Sequence, residues 1–279
     1  MLEPIAEGSL DDARSALSSG FPTRPPSFWA EGLDRQAAFQ AAAGLGPLGY
    51  LLRVKGDVAG VILTMRSLRR DAAGADRLVV NLSSWYVEER YRLLAPRMIR
   101  QVLAEPADVF TDLTPSPSVT EMMGRLGFAR RHDGGMIVLL PAAAMLAAGS
   151  GRVTEIAEAD VDPGLHGLIR DHVALGCVAC LLRDGAEVHP LVFSTAFRKG
   201  LPMARLVYGA DAAAVRRNIG SLARFLLRRG IACLEVPANH GEAVAGGWFS
   251  RRARPTFVRG EPPAAEVDHA YSEFVFLRI

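Results

Sequence analysis

The chain of 279 residues is 49% hydrophobic and 22% charged, too apolar and too sparsely charged for a disordered protein and long enough for one or two domains. Thirty-two basic residues against thirty acidic ones leave a net charge of +2, spread evenly, so the concentrated basic domain of a nucleic-acid binder is missing. No apolar run reaches the ~20 residues that a bilayer crossing requires, and the start Met1-Leu2-Glu3-Pro4-Ile5 lacks the basic and apolar regions of a leader, which together predict a soluble, cytoplasmic protein with no membrane partner.

In chain order, apolar patterning predicts a strand at 2–6, helices at 9–18 and 27–43, and strands at 48–54, 58–66 and 77–87. A helix at 94–104, a strand at 108–113, a helix at 118–125 and a strand at 129–140 follow. Residues 141–151, rich in alanine and ending Gly149-Ser150-Gly151, read as a linker. Beyond it come a strand at 152–157, a helix at 163–174, and strands at 177–183, 187–195 and 202–209. The helix expected at 211–229 puts Val215, Ile219, Leu222, Phe225 and Leu226 on one face and Arg216, Arg217, Arg224, Arg228 and Arg229 on the other. Gly230 stops it. Strands at 231–236, 253–259 and 270–278 complete the chain.

An internal repeat runs through these elements. Residues 51–64 lie over 181–194 at a constant offset of 130, each an apolar pair of strands around a polar turn, Lys55-Gly56-Asp57 or Asp184-Gly185. Ile5-Ala6-Glu7 and Ile156-Ala157-Glu158, Arg77-Leu78-Val79 and Arg205-Leu206-Val207, and Val109-Phe110-Thr111 and Cys233-Leu234-Glu235 flank it in the same order. This predicts an α/β (α+β) protein of two tandem domains, 1–145 and 152–279, each a mixed, mostly antiparallel sheet flanked by helices.

The informative stretch runs from Asn81 through Ser83, Ser84, Trp85, Tyr86, Val87, Glu88, Glu89, Arg90 and Tyr91 to Arg92, Leu93, Leu94, Ala95, Pro96 and Arg97. A strand ends near Val87, a polar loop turns, and a helix opens with proline near its first position, where a missing N–H costs nothing. Bare N–H groups at such a start hold phosphate or diphosphate, and Arg92 and Arg97 add charge-assisted contacts. Followed by a strand and by Met123-Gly124-Arg125-Leu126-Gly127-Phe128, this arrangement resembles the GNAT acyltransferase superfamily.

In that family a Gln/Arg-x-x-Gly-x-Gly/Ala loop cradles the diphosphate of acyl-CoA, and the preceding strand splays from its neighbour to meet the pantetheine arm. The resemblance places Arg92 at the first loop position, Ala95 at the first glycine and Arg97 at the second small residue, with Leu93 and Leu94 between them. It places Trp85, Tyr86 and Val87 on the pantetheine strand and Gly127-Phe128 before the last hairpin. It covers roughly residues 1–140 and, more weakly, 152–279. It implies acetyl-CoA or another acyl-CoA as co-substrate, no metal, and a small-molecule or peptide amine as acceptor. The chain departs from the pattern in having no loop glycine, a bulky Arg97, and Met123 where a tyrosine acid often stands.

Catalysis of this type is direct attack of an amine on a thioester, made fast by proximity, proton removal and oxyanion stabilisation. Tyr86, Tyr91 and Ser84 are the nearby groups for protonating the thiolate. Glu88 and Glu89 would deprotonate the amine; solvated surface carboxylates are the plain alternative. Phe28 and Trp29, in the proline-stiffened stretch 21–29, with Asn81 and Ser83, are the candidate acceptor contacts, although aromatic packing explains Phe28 and Trp29 as well. The six histidines show no metal-binding spacing, and Cys177-x-x-Cys180 sits in an apolar strand entry where cysteine acts as a small hydrophobe. No hydrolase elbow and no phosphate loop of the nucleotide hydrolases occurs.

In the second half, Asp211 as an N-cap would place a carboxylate where phosphate should sit, which predicts a degenerate copy that helps to shape the acceptor pocket. Three functions follow from these residues: an N-acyltransferase moving acetyl or acyl from acyl-CoA to an amine, a non-catalytic relative that binds CoA or another small ligand, and an aminoacyl-tRNA-dependent transferase. The even charge weighs against the last.

Overall fold

The computed structural model describes residues 1–70, 74–147, 149–198, 200–209, 211–260 and 268–279. The first half opens with β1 (Leu2–Pro4), α1 (Leu10–Gly20) and α2 (Pro26–Ala43), then β2 (Gly49–Val54), β3 (Asp57–Arg70) and β4 (Asp76–Val87). Then come α3 (Ala95–Val102), β5 (Val109–Asp112), α4 (Pro117–Met122), β6 (Ala129–His132), β7 (Gly134–Leu139) and α5 (Leu140–Leu146). The second half repeats the order with β8 (Arg152–Thr154), α6 (Pro163–Ala174), β9 (Val178–Asp184), β10 (Glu187–Arg198) and β11 (Leu201–Tyr208). It ends with α7 (Ala212–Arg217), α8 (Ile219–Leu227), β12 (Cys233–Ala238), β13 (Gly247–Ser250), β14 (Thr256–Gly260) and α9 (Glu273–Phe276).

Two seven-stranded sheets result, ordered β1-β2-β3-β4-β5-β14-β6 and β13-β7-β12-β11-β10-β9-β8. In the first, β4 and β5 are parallel while β1-β2, β2-β3, β3-β4 and β5-β14 are antiparallel; in the second, β11 and β12 are parallel and the other neighbouring pairs antiparallel. Helices flank both sheets. Two compact units carry them, and neither is a single stretch of chain. The first gathers residues 1–129, 257–260 and 271–277, the second residues 130–256, 268–270 and 278–279.

The hairpins of the repeat are built alike. Val54 pairs with Asp57 across Lys55-Gly56, and Asp184 pairs with Glu187 across Gly185-Ala186, so the offset of 130 holds in register. Lys55 and Gly56 both take positive φ, 54° and 97°, as a two-residue turn matched to strand twist demands. Further on the offset changes. The parallel pairs begin at Val79 with Val109 and at Met203 with Cys233, so Val79 corresponds to Met203. The likeness of Arg77-Leu78-Val79 to Arg205-Leu206-Val207 is therefore four residues out of structural step. The longer β3–β4 hairpin of the first half accounts for the change: Val79 follows Asp57 by 22 positions, and Met203 follows Glu187 by 16.

Three expected elements come out differently. The strand expected at 129–140 divides at Asp133, with β6 in one sheet and β7 in the other. The helix expected at 211–229 divides at Asn218, whose side chain donates to the Ala214 carbonyl and accepts from the Gly151 N–H at 2.8 Å; this competition for backbone partners interrupts the helix. Residues 270–278, expected as a strand, hold the short helix α9 instead. Ser272 Oγ caps it by accepting from the Phe274 N–H.

One apolar cluster of the first unit fills the face of its sheet that α3 covers. Val80 and Leu82 of β4, Phe110 of β5 and Met98, Ile99 and Val102 of α3 are all buried there. Met123 and Phe128 join them, with Gly127 at φ 80° turning the chain between them. The second unit repeats the scheme with Phe193, Leu206, Leu222, Phe225 and Leu234. Cys180 belongs to that core and Cys177 is buried beside it. Desolvation pushes both thiols up to about 12, so they pack as protonated side chains.

Candidate active site

Parallel pairing of β4 with β5 runs from Val79 with Val109 to Leu82 with Asp112 and stops. From Ser83 to Val87, β4 stays paired with β3 alone, and among the described residues no strand takes its other edge. A fork opens here. Its unpaired edge offers backbone N–H and C=O groups to an extended, amide-bearing ligand.

A bulge shapes that free edge. Leu63 faces Ser83 and Val61 faces Tyr86, so Ser84 and Trp85 together oppose Ile62. Ser84 takes φ 51°, and its Oγ lies 3.2 Å from that of Ser83. The extra residue keeps Tyr86 on the face of Asn81 and Ser83 and turns Trp85 to the opposite one. Trp85 accordingly packs on the α3-side core. Tyr86 lies directly over Gly20, where an added Cβ would stand 2.4 Å from its ring. Its ring is 6.4 Å from that of Phe21, which lies 5.3 Å from Trp29, and Trp29 meets Phe28 edge-on at 4.9 Å. Phe28, Trp29 and Tyr86, chosen separately from the sequence, thus belong to one aromatic cluster. Trp29 is 3% exposed, and among the described residues its buried indole N–H has no hydrogen-bond partner.

The segment after Val87 is wound, where an open loop was expected. Glu89–Leu94 form a 3-10 helix that runs into α3 with Leu94 already helical. The Ala95 N–H donates to the Arg92 carbonyl, and Pro96 has none, so two of the expected cradle amides are spent. The missing glycines are the physical reason: without them the chain follows the ordinary right-handed helical path. Leu94 and Ala95 pack toward the core, Leu93 is 94% exposed, and Arg92 and Arg97 are exposed at the turn. Arg92 lies 3.8 Å from Glu89. Glu88 accepts from Arg90 at 2.8 Å.

Asn81 leads to a group that sequence reasoning missed. Thr111 Oγ1 donates to Asn81 Oδ1 at 2.9 Å, and the Asn81 amide donates to the carboxylate of Glu273. Thr114 Oγ1 donates to the same carboxylate at 2.7 Å. Asn81 and Thr111 are 3% and 2% exposed, and Glu273 is fully buried. The signal available was a lone glutamate in the apolar run Tyr271-Ser272-Glu273-Phe274-Val275-Phe276.

The fork of the second unit is filled by its own chain. Met203 to Arg205 pair with Cys233 to Glu235, and beyond them the His269 N–H donates to the Val207 carbonyl at 2.8 Å. Arg205 Nε donates to Glu235 at 2.8 Å and Arg198 lies 3.3 Å away. Asp211 caps α7, accepting from the N–H groups of Ala213 and Ala214 at 2.7 and 3.0 Å. These bonds, the one from Ala214 foremost, hold its carboxyl below the usual range. Glu187, His189 and Asp211 bring ligand-type atoms within 4.8 Å of one another, but the cap, the 3.3 Å His189–Glu187 pair and Arg217 at 3.9 Å from Asp211 already engage them.

No family model and no curated protein sequence matches the chain. Solved structures do. An acetyltransferase-assigned protein from Pyrococcus horikoshii superposes with a TM-score of 0.56 at 12% identity, covering 98% of this chain and 93% of that one. A GCN5-related N-acetyltransferase from Anabaena variabilis gives 0.53 at 9% identity, over 93% and 72%. One from Kribbella flavida gives 0.52 at 13%, over 92% and 70%. At these identities the likeness is one of fold.

Proposed function

We propose that this chain, folded as the GNAT acetyltransferases are, transfers an acyl group, most simply acetyl, from acyl-CoA to an amine, and that the first unit does so. The observation that carries the reading is the fork beyond Leu82 and Asp112, with a free strand edge at Ser83–Val87. A pantetheine arm presents two amides in an extended chain and fits such an edge. The thioester would then lie along β4 near the bulge, on the side toward Ser83 and Tyr86. Arg92 and Arg97, exposed where α3 begins, would meet the diphosphate with guanidinium groups in place of the loop amides that the 3-10 turn has consumed. The second unit, with His269 in its fork and Asp211 on its helix, supports no CoA site of its own.

Acetyl-CoA should raise the melting temperature of the protein, and calorimetric titration should give one site per chain. Arg92→Ala with Arg97→Ala should weaken that binding about tenfold, a loss of about 1.4 kcal/mol, and more steeply at low salt. Release of free thiol in the presence of an amine panel then tests transfer. The spent amides at Ala95 and Pro96 favour a second reading, a binder of a small ligand without turnover, which the thiol assay separates from the first. Two CoA sites per chain, or one that survives the double arginine variant unchanged, would overturn the placement.

A further inference from the structure

At the third pair of each parallel ladder the two units obtain their carboxylate from different places. In the second unit Arg205 stands opposite Glu235, and the guanidinium groups of Arg205 and Arg198 hold that carboxylate at 2.8 and 3.3 Å. The corresponding pair in the first unit is Asn81 opposite Thr111, both uncharged. A carboxylate reaches this place from the far end of the chain. Glu273 lies fully buried beside Asn81, with the Asn81 amide and the Thr114 hydroxyl donating to its two oxygens.

Its carrier is built to hold it there. Tyr271 stacks on Phe39 of α2 at 4.7 Å, Arg35 Nε donates to the Phe276 carbonyl at 2.7 Å, and Leu277 rests against Gly32, where a Cβ would come within 2.4 Å. Every residue from Tyr271 to Leu277 is buried. Phe274, Val275, Phe276 and Leu277 explain the docking by apolar burial, while a carboxylate in the same segment opposes it, because taking an ionisable group out of water is costly. Packing alone therefore leaves Glu273 unexplained. Its location does not. Asn81 pairs opposite Met65 and Ser83 opposite Leu63, so Asn81 and Ser83 share a face two residues apart, about 7 Å along the strand. Ser83 is the first residue of the free edge.

We propose that Glu273 is the proton acceptor for the amine, and that Asn81 and Thr114 position it. The inference rests on the acyltransferase reading above. Glu273 takes one N–H proton from the alkylammonium and frees the lone pair that bonds to the thioester carbonyl carbon. The C–S bond then breaks with its electron pair on sulfur, the CoA thiolate takes the second N–H proton by way of water, and the Glu273 carboxyl returns its proton to solvent. No other reactant is needed.

Glu273→Gln tests this in the full chain. The Gln carbonyl accepts from Asn81, and its amide donates to Thr114, whose hydroxyl turns to accept, so the fold should persist with a melting temperature near that of the native protein. Acetyl-CoA affinity should stay within twofold while kcat for an alkylamine falls at least 100-fold. Methoxyamine, which is unprotonated at neutral pH, should lose far less, whereas a merely structural role would lower both acceptors alike. Glu273→Asp, which retracts the carboxylate by one methylene, should lose less than the Gln variant. A Gln variant that keeps its fold and turns over alkylamines within threefold of the native protein overturns the proposal while leaving the acyltransferase reading intact. If Glu273→Gln unfolds, the Asp variant decides by the same ratio of alkylamine to methoxyamine. A native protein that binds acetyl-CoA but releases no thiol with any amine overturns both.

Discussion

Ser84, at φ 51° within β4, sets which side chains reach the fork. Plain alternation from Asn81 and Ser83 would carry Trp85 to the same face; the bulge substitutes Tyr86 and sends Trp85 into the core. The left-handed conformation costs a serine on the order of 1 kcal/mol. Ser84→Gly should therefore hold stability or raise it by up to about 1 kcal/mol, and Ser84→Val should lower it by about 2 kcal/mol. Urea unfolding measures both. Asn81 and Ser83 stand out in the sequence because they precede the expected loop on a strand. Glu273 does not, since nothing within a few residues of it announces Asn81 or Thr114.

Helix starts divide the two units at the scale of elements. In the second, Asp211 supplies side-chain acceptors to the Ala213 and Ala214 N–H groups, as expected from its position before an alanine-rich helical run. Asp211→Ala should cost about 1 kcal/mol through the loss of this cap, read as a shift in the urea midpoint, and should leave acetyl-CoA affinity unchanged. In the first, proline at the start of α3 was legible and the 3-10 winding before it was not. Propensity reports that Glu89–Leu94 contain no breaker, but not which of two helical paths they follow. The hairpins of the repeat were the most legible elements, because turn residues and alternating strands both act over a few positions. Residues 270–278 read wrongly for the opposite reason: a uniformly buried apolar segment carries no period that separates strand from helix.

At the scale of the whole chain, two histidines of the second unit, His132 half-buried and His269 buried, tie stability to pH. Burial pushes His132 down to about 4, helped by Arg131, and His269 down to about 3, helped by His132 and Arg205. Their rings lie 6.3 Å apart, and His132 Nδ1 is 3.0 Å from Thr256 Oγ1. Both are neutral when folded and take up protons near 6.5 when unfolded. Their contribution is thus complete above pH 6.5 and is lost as pH falls toward 4 and then 3, at up to about 1.4 kcal/mol per pH unit for each ring. Urea midpoints between pH 7.5 and 4.5 should fall accordingly, and His132→Gln should shallow the slope. The amino-acid sequence alone determined the α/β class, the repeated strand and helix order, the hairpin register and the capped second helix start, all of which depend on neighbours a few residues apart. Only the tertiary structure decided that β7 and β14 exchange between the sheets of the two halves, that His269 fills one fork, and that Glu273 stands beside the other. Each of these joins segments sixty or more residues apart, and what selects among such partners is the burial of side chains and backbone groups in the finished fold, which no local pattern encodes.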